Sequence, residues 1–311
     1  MNQGLIKDTE ILMYNGELKK IQDIQIGEFV MNENNGPLLV NSIINNTNEL
    51  YNISHYYNDE NYIVNKDFIL SLNYKYKKNI IEYNNYYSVK WFDNKSIVEK
   101  SVKFSYNNNN KKKIKESAIS YFENIKEDRQ VNIKVYDYLN LSSKMQTKLY
   151  GIKSIILFAK KEISYNSYMM GNMEGINLYG MVEDTIISDK YKYNSTNERF
   201  NYLAGLIDGY GYNRDDKYIL EIPEFNSYIK DLIFMIKSIS LNCIYKDNML
   251  IIYGSRITKI PTKKFKIQCN LNKYSNKLQV DNYGIDSYYT LQFAQESKYI
   301  LGNCIVVNGY T

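Results

Sequence analysis

Four groups of residues have side chains whose type and spacing could do chemistry. The first is Asp208, which closes the apolar run Leu203-Ala204-Gly205-Leu206-Ile207 and is followed by Gly209, Tyr210 and Gly211. A carboxylate presented by a helix can hold a hard divalent cation such as Mg2+, which takes oxygen ligands. The second is a run of cations, Lys75, Lys77, Lys78, Lys90, Lys95, Lys100, Lys103, Lys111, Lys112, Lys113 and Lys115, interleaved with Tyr74, Tyr76, Tyr83, Tyr86, Tyr87, Trp91 and Phe92. Only Glu82, Asp93 and Glu99 oppose them, so residues 74–115 carry +8 against +5 for the whole chain. A basic, aromatic-rich stretch is the footprint of contact with a nucleic-acid backbone; a solvated surface is the competing reading. The third is Asn308-Gly309, a deamidation-prone pair whose default reading is a flexible tail. The fourth is Cys243, Cys269 and Cys304, far apart and without a Cys-x-x-Cys pair. Neither a zinc site nor a disulfide framework is expected from them. The single histidine, His55, reads as an ordinary surface or core residue.

These groups need elements to position them. Residues 4–50 read as short strands: Thr9–Met13, a return at Leu18–Ile24 after the Asn15-Gly16 turn, a third strand at Gly27–Met31, then a turn at Asn34-Asn35-Gly36. Tyr62–Leu72 and Val131–Tyr136 read as further strands, and Asn107–Lys113 as an exposed loop. Glu116–Lys126 reads as a helix with Ile119, Phe122 and Ile125 inward. In Leu203–Ile207 the small Ala204 and Gly205 let another helix come close, and Gly211 marks the stop. A strand at Lys217–Ile222, a helix at Phe225–Asn242 and a hairpin turning at Lys246-Asp247-Asn248 follow. The chain has 311 residues, enough for two domains. No apolar run approaches bilayer length, and no basic region precedes an apolar stretch at the start. A nuclear or cytoplasmic protein, neither secreted nor in a membrane, is expected. Thirty-three tyrosines and three prolines suggest an AT-rich genome, which lowers the weight of any lone Lys or Tyr.

Tyr202–Tyr212 resembles the signature of the LAGLIDADG homing endonucleases almost letter for letter. In that family two such helices pack side by side, and an acid at the foot of each holds divalent metal, with Mg2+ the expected cofactor, over the scissile phosphates of double-stranded DNA. The resemblance puts that acid at Tyr210 and, in a fainter match at Tyr168–Ile176, at Ile176. Neither is an acid. Asp208 lies two residues earlier, roughly 200° round the helix; it and Lys264 are the remaining catalytic candidates, and no metal site is expected. About two dozen residues separate the two matches, too few for a four-stranded saddle, so the first half-saddle reads as largely lost. Two chains pairing through the 203–207 helix, a homodimer, would rebuild a symmetric clamp. Ile257–Lys266, with Lys259, Lys263, Lys264 and Lys266, resembles the basic segment that contacts DNA near the cleavage centre.

Gly4–Met31 is similar to the first block of the Hint fold, the self-splicing domain of inteins, with Thr9, Leu12, Gly16, Ile21, Ile24, Gly27 and Val30 where the block expects them. The resemblance places the splicing nucleophile at Gly4, the activating histidine at Phe68 and the terminal His-Asn near Asn308-Gly309. Glycine has no side chain to form a thioester. The likeness is strongest to the branch formed by the yeast mating-type switching endonuclease and the intein of the yeast vacuolar ATPase, which insert a DNA-recognition region where Tyr87–Trp91 falls. It implies a mostly β fold with an α+β insert: a Hint fold at 1–157 and 268–311, with the basic insert at about 74–115, interrupted by a shortened endonuclease domain at 158–267. The implied function is a DNA-binding protein that neither splices nor cuts. An active double-strand endonuclease, a hydrolase, and a remnant with no DNA role are the alternatives.

Overall fold

The computed structural model describes residues 3–55, 58–177, 186–222, 226–267 and 278–311. Cys269 and the expected boundary at 268 lie outside them. The chain opens with five short strands, β1 (Leu5–Ile6), β2 (Glu10–Leu12), β3 (Leu18–Lys20), β4 (Phe29–Met31) and β5 (Pro37–Leu39). Gly16, at φ 97°, makes the tight turn between β2 and β3, a conformation that a side chain would strain. Two long strands follow, β6 (Ser42–His55) and β7 (Asn58–Asn65), then β8 (Ile69–Tyr74). The single strand expected over Tyr62–Leu72 is thus broken. Phe68 is 1% exposed and its N–H bonds the Asn65 carbonyl at 3.0 Å, so burying the ring turns the chain out of the ladder.

The lysine-rich stretch folds into a sheet and a helix. β9 (Asn79–Glu82), β10 (Tyr86–Asp93) and β11 (Val98–Ser105) form an antiparallel sheet in the order β11-β10-β9. α1 (Lys111–Asn124) packs on one face of it. Lys111, Lys112 and Lys113, read as an exposed loop, are its first turn. Ile119, expected inward, is 38% exposed. The stripe that meets Tyr87 and Val89 is Ile114, Ala118, Phe122 and Ile125. That helical row leaves Ile119 about 100° away from Ala118.

β12 (Gln130–Lys134) flanks β8, and α2 (Val135–Leu139) follows it directly. The expected strand ends two residues early because the Val135 and Tyr136 N–H groups bond the Phe68 and Lys66 carbonyls at 3.0 and 3.1 Å. α3 (Ser143–Gln146) and β13 (Leu149–Gly151) complete this part, with β13 on the other edge of β8.

Next come α4 (Ser167–Ile176), α5 (Asp189–Lys192) and α6 (Thr196–Tyr210). α6 starts at an N-cap serine: the Ser195 hydroxyl accepts the Glu198 N–H at 3.4 Å. β14 (Tyr212–Arg214), β15 (Lys217–Glu221), α7 (Ser227–Ser238), β16 (Asn242–Lys246) and β17 (Met249–Tyr253) follow. The strands make one antiparallel sheet in the order β14-β15-β17-β16. Asp247 and Asn248 turn the last hairpin with φ 51° and 59°, the left-handed pair of a type I′ turn. β18 (Leu278–Gln292), β19 (Lys298–Ile300) and β20 (Val306–Asn308) end the chain. β1, β18, β6 and β7 close into a barrel, with β18 pairing β6 along its length around a bulge at Gly284. The fold is mostly β, 39% strand against 25% helix.

Two large cores result. One is drawn from 5–149 and 278–307, the other from 187–260. A smaller cluster joins them, in which Leu12, Met31, Ile300 and Val306 meet Ile156 and Phe234. Arg199 staples the same junction. It is fully buried, and its guanidinium donates to Ser238 Oγ, the Ile156 carbonyl and, at 2.9 Å, the Asn194 carbonyl. Burial without a carboxylate partner lowers its pKa to about 10.

Candidate functional site

The site begins at the seam between α4 and α6. A methyl built on Gly175 would lie 2.8 Å from the Leu206 carbonyl oxygen, and one on Gly209 2.7 Å from the Asn172 oxygen. Methyls on Gly171 and Gly205 would overlap the Tyr202 and Tyr168 carbonyls outright. Four glycines, two per helix, therefore let the backbones touch. The residues repeat with an offset of 34: Tyr168, Gly171, Glu174 and Gly175 on α4 correspond to Tyr202, Gly205, Asp208 and Gly209 on α6. The cross-links repeat too. The Tyr168 hydroxyl donates to Asp208 Oδ2 at 2.8 Å, and the Tyr202 hydroxyl donates to Glu174 Oε2. The sequence reading passed over these tyrosines and Glu174; the 34-residue offset was the signal that could have found them.

Desolvation dominates the titration of this seam. Burial, and after it the bonded Asp208, pushes the Tyr168 phenol up to about 12. Burial holds Tyr202 and Tyr228, whose hydroxyls are 3.0 Å apart, well above the ordinary tyrosine range. Burial also raises the Glu174 carboxyl, against the hydrogen bonds from Tyr202 and Tyr228.

The two feet of the pair do not fit a divalent metal. Ile176 is 65% exposed and has no donor atom. Tyr210 packs against the second core with a phenol in place of a carboxylate. Asp208 is 1% exposed, and its oxygens accept from the Lys263 and Lys264 N–H groups at 2.6 and 3.1 Å as well as from Tyr168. It is a brace that ties the 262–265 loop to α6. Lys264 caps this loop by donating its amine to the Asp208 carbonyl, and the Lys263 amine stands 3.9 Å from the Tyr168 ring centroid. Lys259 and Lys266 are exposed on the same segment. The α6 surface offered to a second chain is filled within the molecule: Leu203, Ala204, Leu206 and Ile207 are fully buried, and α4 lies against Gly205. Gly211 closes α6 with its N–H on the Ile207 carbonyl at 2.7 Å.

The outward face of the β14–β17 sheet is mixed, with an isoleucine row across its middle and charged residues on either side. Ile219 pairs with Ile251, and Ile251 with Ile244, while the alternate Tyr218, Leu220, Leu250 and Ile252 fill the core. Arg214, Lys217, Glu221 and Lys246 lie on the same face, Lys217 beside Arg214 and with its amine 5.9 Å from the Tyr253 ring centroid.

The basic sheet differs. Several lysines there do structural work. Lys78 donates to the Phe122 and Ile125 carbonyls at 2.7 and 2.8 Å, capping α1. Lys100 pairs with Asp93, and Lys111 with Glu82 at 2.7 Å. Lys103 and Lys75 lie 5.0 and 5.7 Å from the Tyr86 and Tyr76 rings. Trp91 is half-buried, edge-on to Tyr121. Among the described residues, Lys77, Lys90, Lys95, Lys112, Lys113 and Lys115 are exposed and make no ion pair. Lys112, Lys113 and Lys115 ring the start of α1, whose cap residue Asn110 gives no side-chain bond to the first turn. Unsatisfied N–H groups and lysines thus present positive charge at one end.

The residues aligned with splicing chemistry do converge, with no nucleophilic side chain at Gly4 and no histidine at Phe68. Gly4 and Asn65 exchange bonds through the Asn65 side chain and backbone at 3.0 and 3.3 Å. A methyl on Gly4 would lie 2.6 Å from the Tyr289 carbonyl and closer still to the Tyr288 ring. The Asn308 amide donates to the Ile69 carbonyl and Ser71 Oγ at 3.0 and 2.7 Å, and the Gly309 N–H to the Ser297 carbonyl at 2.7 Å. The pair expected in a flexible tail is therefore held, because β20 pairs with β19. Gln3, not anticipated, bridges the group: its side chain accepts from the Ile69 N–H at 2.9 Å and donates to the Gly309 carbonyl at 2.7 Å.

Comparison with known proteins gives the family. The family model described as Hom_end-associated Hint matches residues 5–308. No curated protein matches. Two crystal structures of the gp41-1 intein overlap in part. One, a triple variant, is 20% identical over 22% of this chain and 52% of its own, with TM-score 0.20. The other is 13% identical over 35% of this chain and 91% of its own, with TM-score 0.21. The chain spans about half the length of the first. It belongs to the Hom_end-associated Hint family, which places it among homing endonuclease and intein relatives.

Proposed function

We propose that this chain is a DNA-binding protein of homing-endonuclease descent that neither splices nor cuts. Its Hint portion comprises 1–157 and 268–311, and the insert at 158–267 is a shortened LAGLIDADG domain, in the manner of the yeast mating-type switching branch. The α4–α6 seam supports that descent: two glycine-lined helices with a 34-residue correspondence are what a pair of LAGLIDADG helices would leave. Loss of cutting rests on Ile176 and Tyr210 at the helix feet, neither of which offers a carboxylate to metal. Loss of splicing rests on Gly4 and Phe68.

The observation that carries DNA binding is the basic end of α1. Lysines in a first helical turn oppose the helix dipole, costing roughly 0.3–1 kcal/mol each at low salt. An arriving phosphate relieves that repulsion and takes up the uncapped N–H groups. The test is a salt series of gel shifts on genomic fragments. Each released phosphate counterion contributes roughly 0.9 to the slope of log affinity against log salt. Changing Lys111, Lys112 and Lys113 together to Ala should lower the slope by ~2–3. An unchanged slope sinks the reading.

A further inference from the structure

We propose that the face of the basic sheet opposite α1 holds a pocket for a single nucleobase turned out of a DNA strand. The proposal rests on the DNA-binding reading above and adds to it. The cavity measures about 490 Å³, within the span of small-ligand pockets, roughly 300–1,000 Å³. Its wall is aromatic. Tyr74 and Phe92 stack in parallel at 4.1 Å, and Tyr76 stands edge-on to Tyr74 at 5.9 Å. The Tyr74–Phe92 pair is buried, whereas the Tyr76 ring is 50% exposed, with only the amines of Lys75 and Lys148 over it, 5.7 and 5.8 Å from its centroid, for a planar partner to displace. Tyr74 is fixed by its bond to Glu99, which Lys148 holds from the other side at 2.5 Å.

The rest of the lining suits a nucleotide. Sheet register sets Lys90 between Asn79 on β9 and Ser101 on β11, so all three share this face. Among the described residues the Asn79 and Ser101 side chains have no hydrogen-bond partner, and Lys77 and Lys90 have no counter-ion. An aromatic platform, two unspent polar side chains and two free ammonium groups match the face, edge and phosphate of one nucleotide. Fully stacked duplex offers none of its base faces. The ligand must therefore be unpaired, in a bulge, a mismatch or a locally opened strand.

The test compares two fluorescein-labelled duplexes by anisotropy, one fully paired and one with a single central unpaired thymidine. The wild-type protein should bind the bulged duplex roughly 5- to 150-fold more tightly, the factor that one base–aromatic stack supplies. Tyr76→Ala should erase that preference and keep the affinity for paired duplex, while Tyr14→Ala, an equally exposed tyrosine elsewhere, should change neither. Equal affinity of the wild type for both duplexes, or a preference that survives Tyr76→Ala, overturns the pocket and leaves the DNA-binding reading standing. Failure to bind either duplex overturns both.

Discussion

Gly205→Ala sets two well-known effects against each other. In an exposed helix the change adds stability, about 1 kcal/mol by propensity. At this seam the new methyl would lie 2.8 Å from the Asn172 nitrogen and would overlap the Tyr168 carbonyl. Carbon contacts are most favourable near ~3.5–4.0 Å, so α4 and α6 must part by roughly 1 Å. A gap of that size forfeits up to about half of the dispersion energy along the seam. Overpacking typically costs ~1–3 kcal/mol. The Asn172–Gly205 bond at 3.3 Å and the Tyr168–Asp208 bond at 2.8 Å cross the same gap, and losing one costs ~0.5–1.5 kcal/mol more. Because the obstacle is backbone, which cannot swing aside, we take the upper half of these ranges and expect a net loss of ~2–3 kcal/mol. Gly171→Ala should behave alike. Urea unfolding followed by circular dichroism gives the midpoint and slope. A Gly205→Ala midpoint at or above the wild-type value would refute the close packing of α4 on α6.

Three more outcomes follow from the described contacts. Glu174 is held above its ordinary 4.5 by burial, so the folded state keeps its proton longer than the unfolded chain does. The stability linked to that proton is full below about pH 4.5 and lost as pH rises through the folded value. Glu174→Gln should therefore gain on the wild type in urea midpoint between pH 4 and pH 7; a trend in the other direction defeats the assignment. Set between two reporter domains, the chain should yield no ligated reporters, and Gly4→Cys should not rescue ligation, since its side chain would meet Tyr288 and Tyr289; ligated product on a gel is the contrary result. Asn308-Gly309 should deamidate more slowly in the folded protein than in urea, because the attacking Gly309 nitrogen is held on Ser297 and the Asn308 amide on Ser71. Mass spectrometry showing equal rates would dismiss that protection.

Much of the second core could be read from letters because its signals are local. Ala204 and Gly205 announced a close helix contact, and Asp247-Asn248 a tight hairpin, since small or left-handed-tolerant residues carry their geometry with them. The partner of that contact was harder. Met169, Met173 and Ile176 on α4 are 58%, 55% and 65% exposed, so its apolar letters do not mark the packed face; Gly171 and Gly175 do. The start of α1 was misread for an electrostatic reason. Three lysines in a first turn are an unfavourable start, and tertiary packing of Ile114 and Ala118 overrides it. The breaks at Phe68 and Val135 depend on backbone bonds between segments far apart in sequence, which no local pattern encodes.

The acids that remain, and those that are missing, separate two demands on one helix pair. At the seventh position of each repeat, counted from Tyr168 and Tyr202, stand Glu174 and Asp208, and each accepts a hydrogen bond from the opposite helix's tyrosine. Asp208 also anchors two backbone N–H groups of the 262–265 loop. Removing either would strand buried polar groups, at ~1–3 kcal/mol apiece. At the ninth position stand Ile176, 65% exposed, and Tyr210, half-buried against the second core, neither of them an acid. An acid there would serve only a metal. On the proposed reading, a chain that lost its need to cut could replace these two residues without disturbing the seam, whereas the seventh-position acids are tied to folding itself. Restoring the chemistry should then demand more than restoring letters. Ile176→Asp with Tyr210→Asp should fold with a loss of stability of ~1–3 kcal/mol by urea midpoint, most of it from Tyr210, whose ring packs against the second core. It should remain unable to linearise plasmid in Mg2+, because the 19 residues between α4 and α6 leave no room for a second four-stranded sheet to clamp the DNA. Plasmid linearised by the double variant would show that the carboxylates alone were lacking.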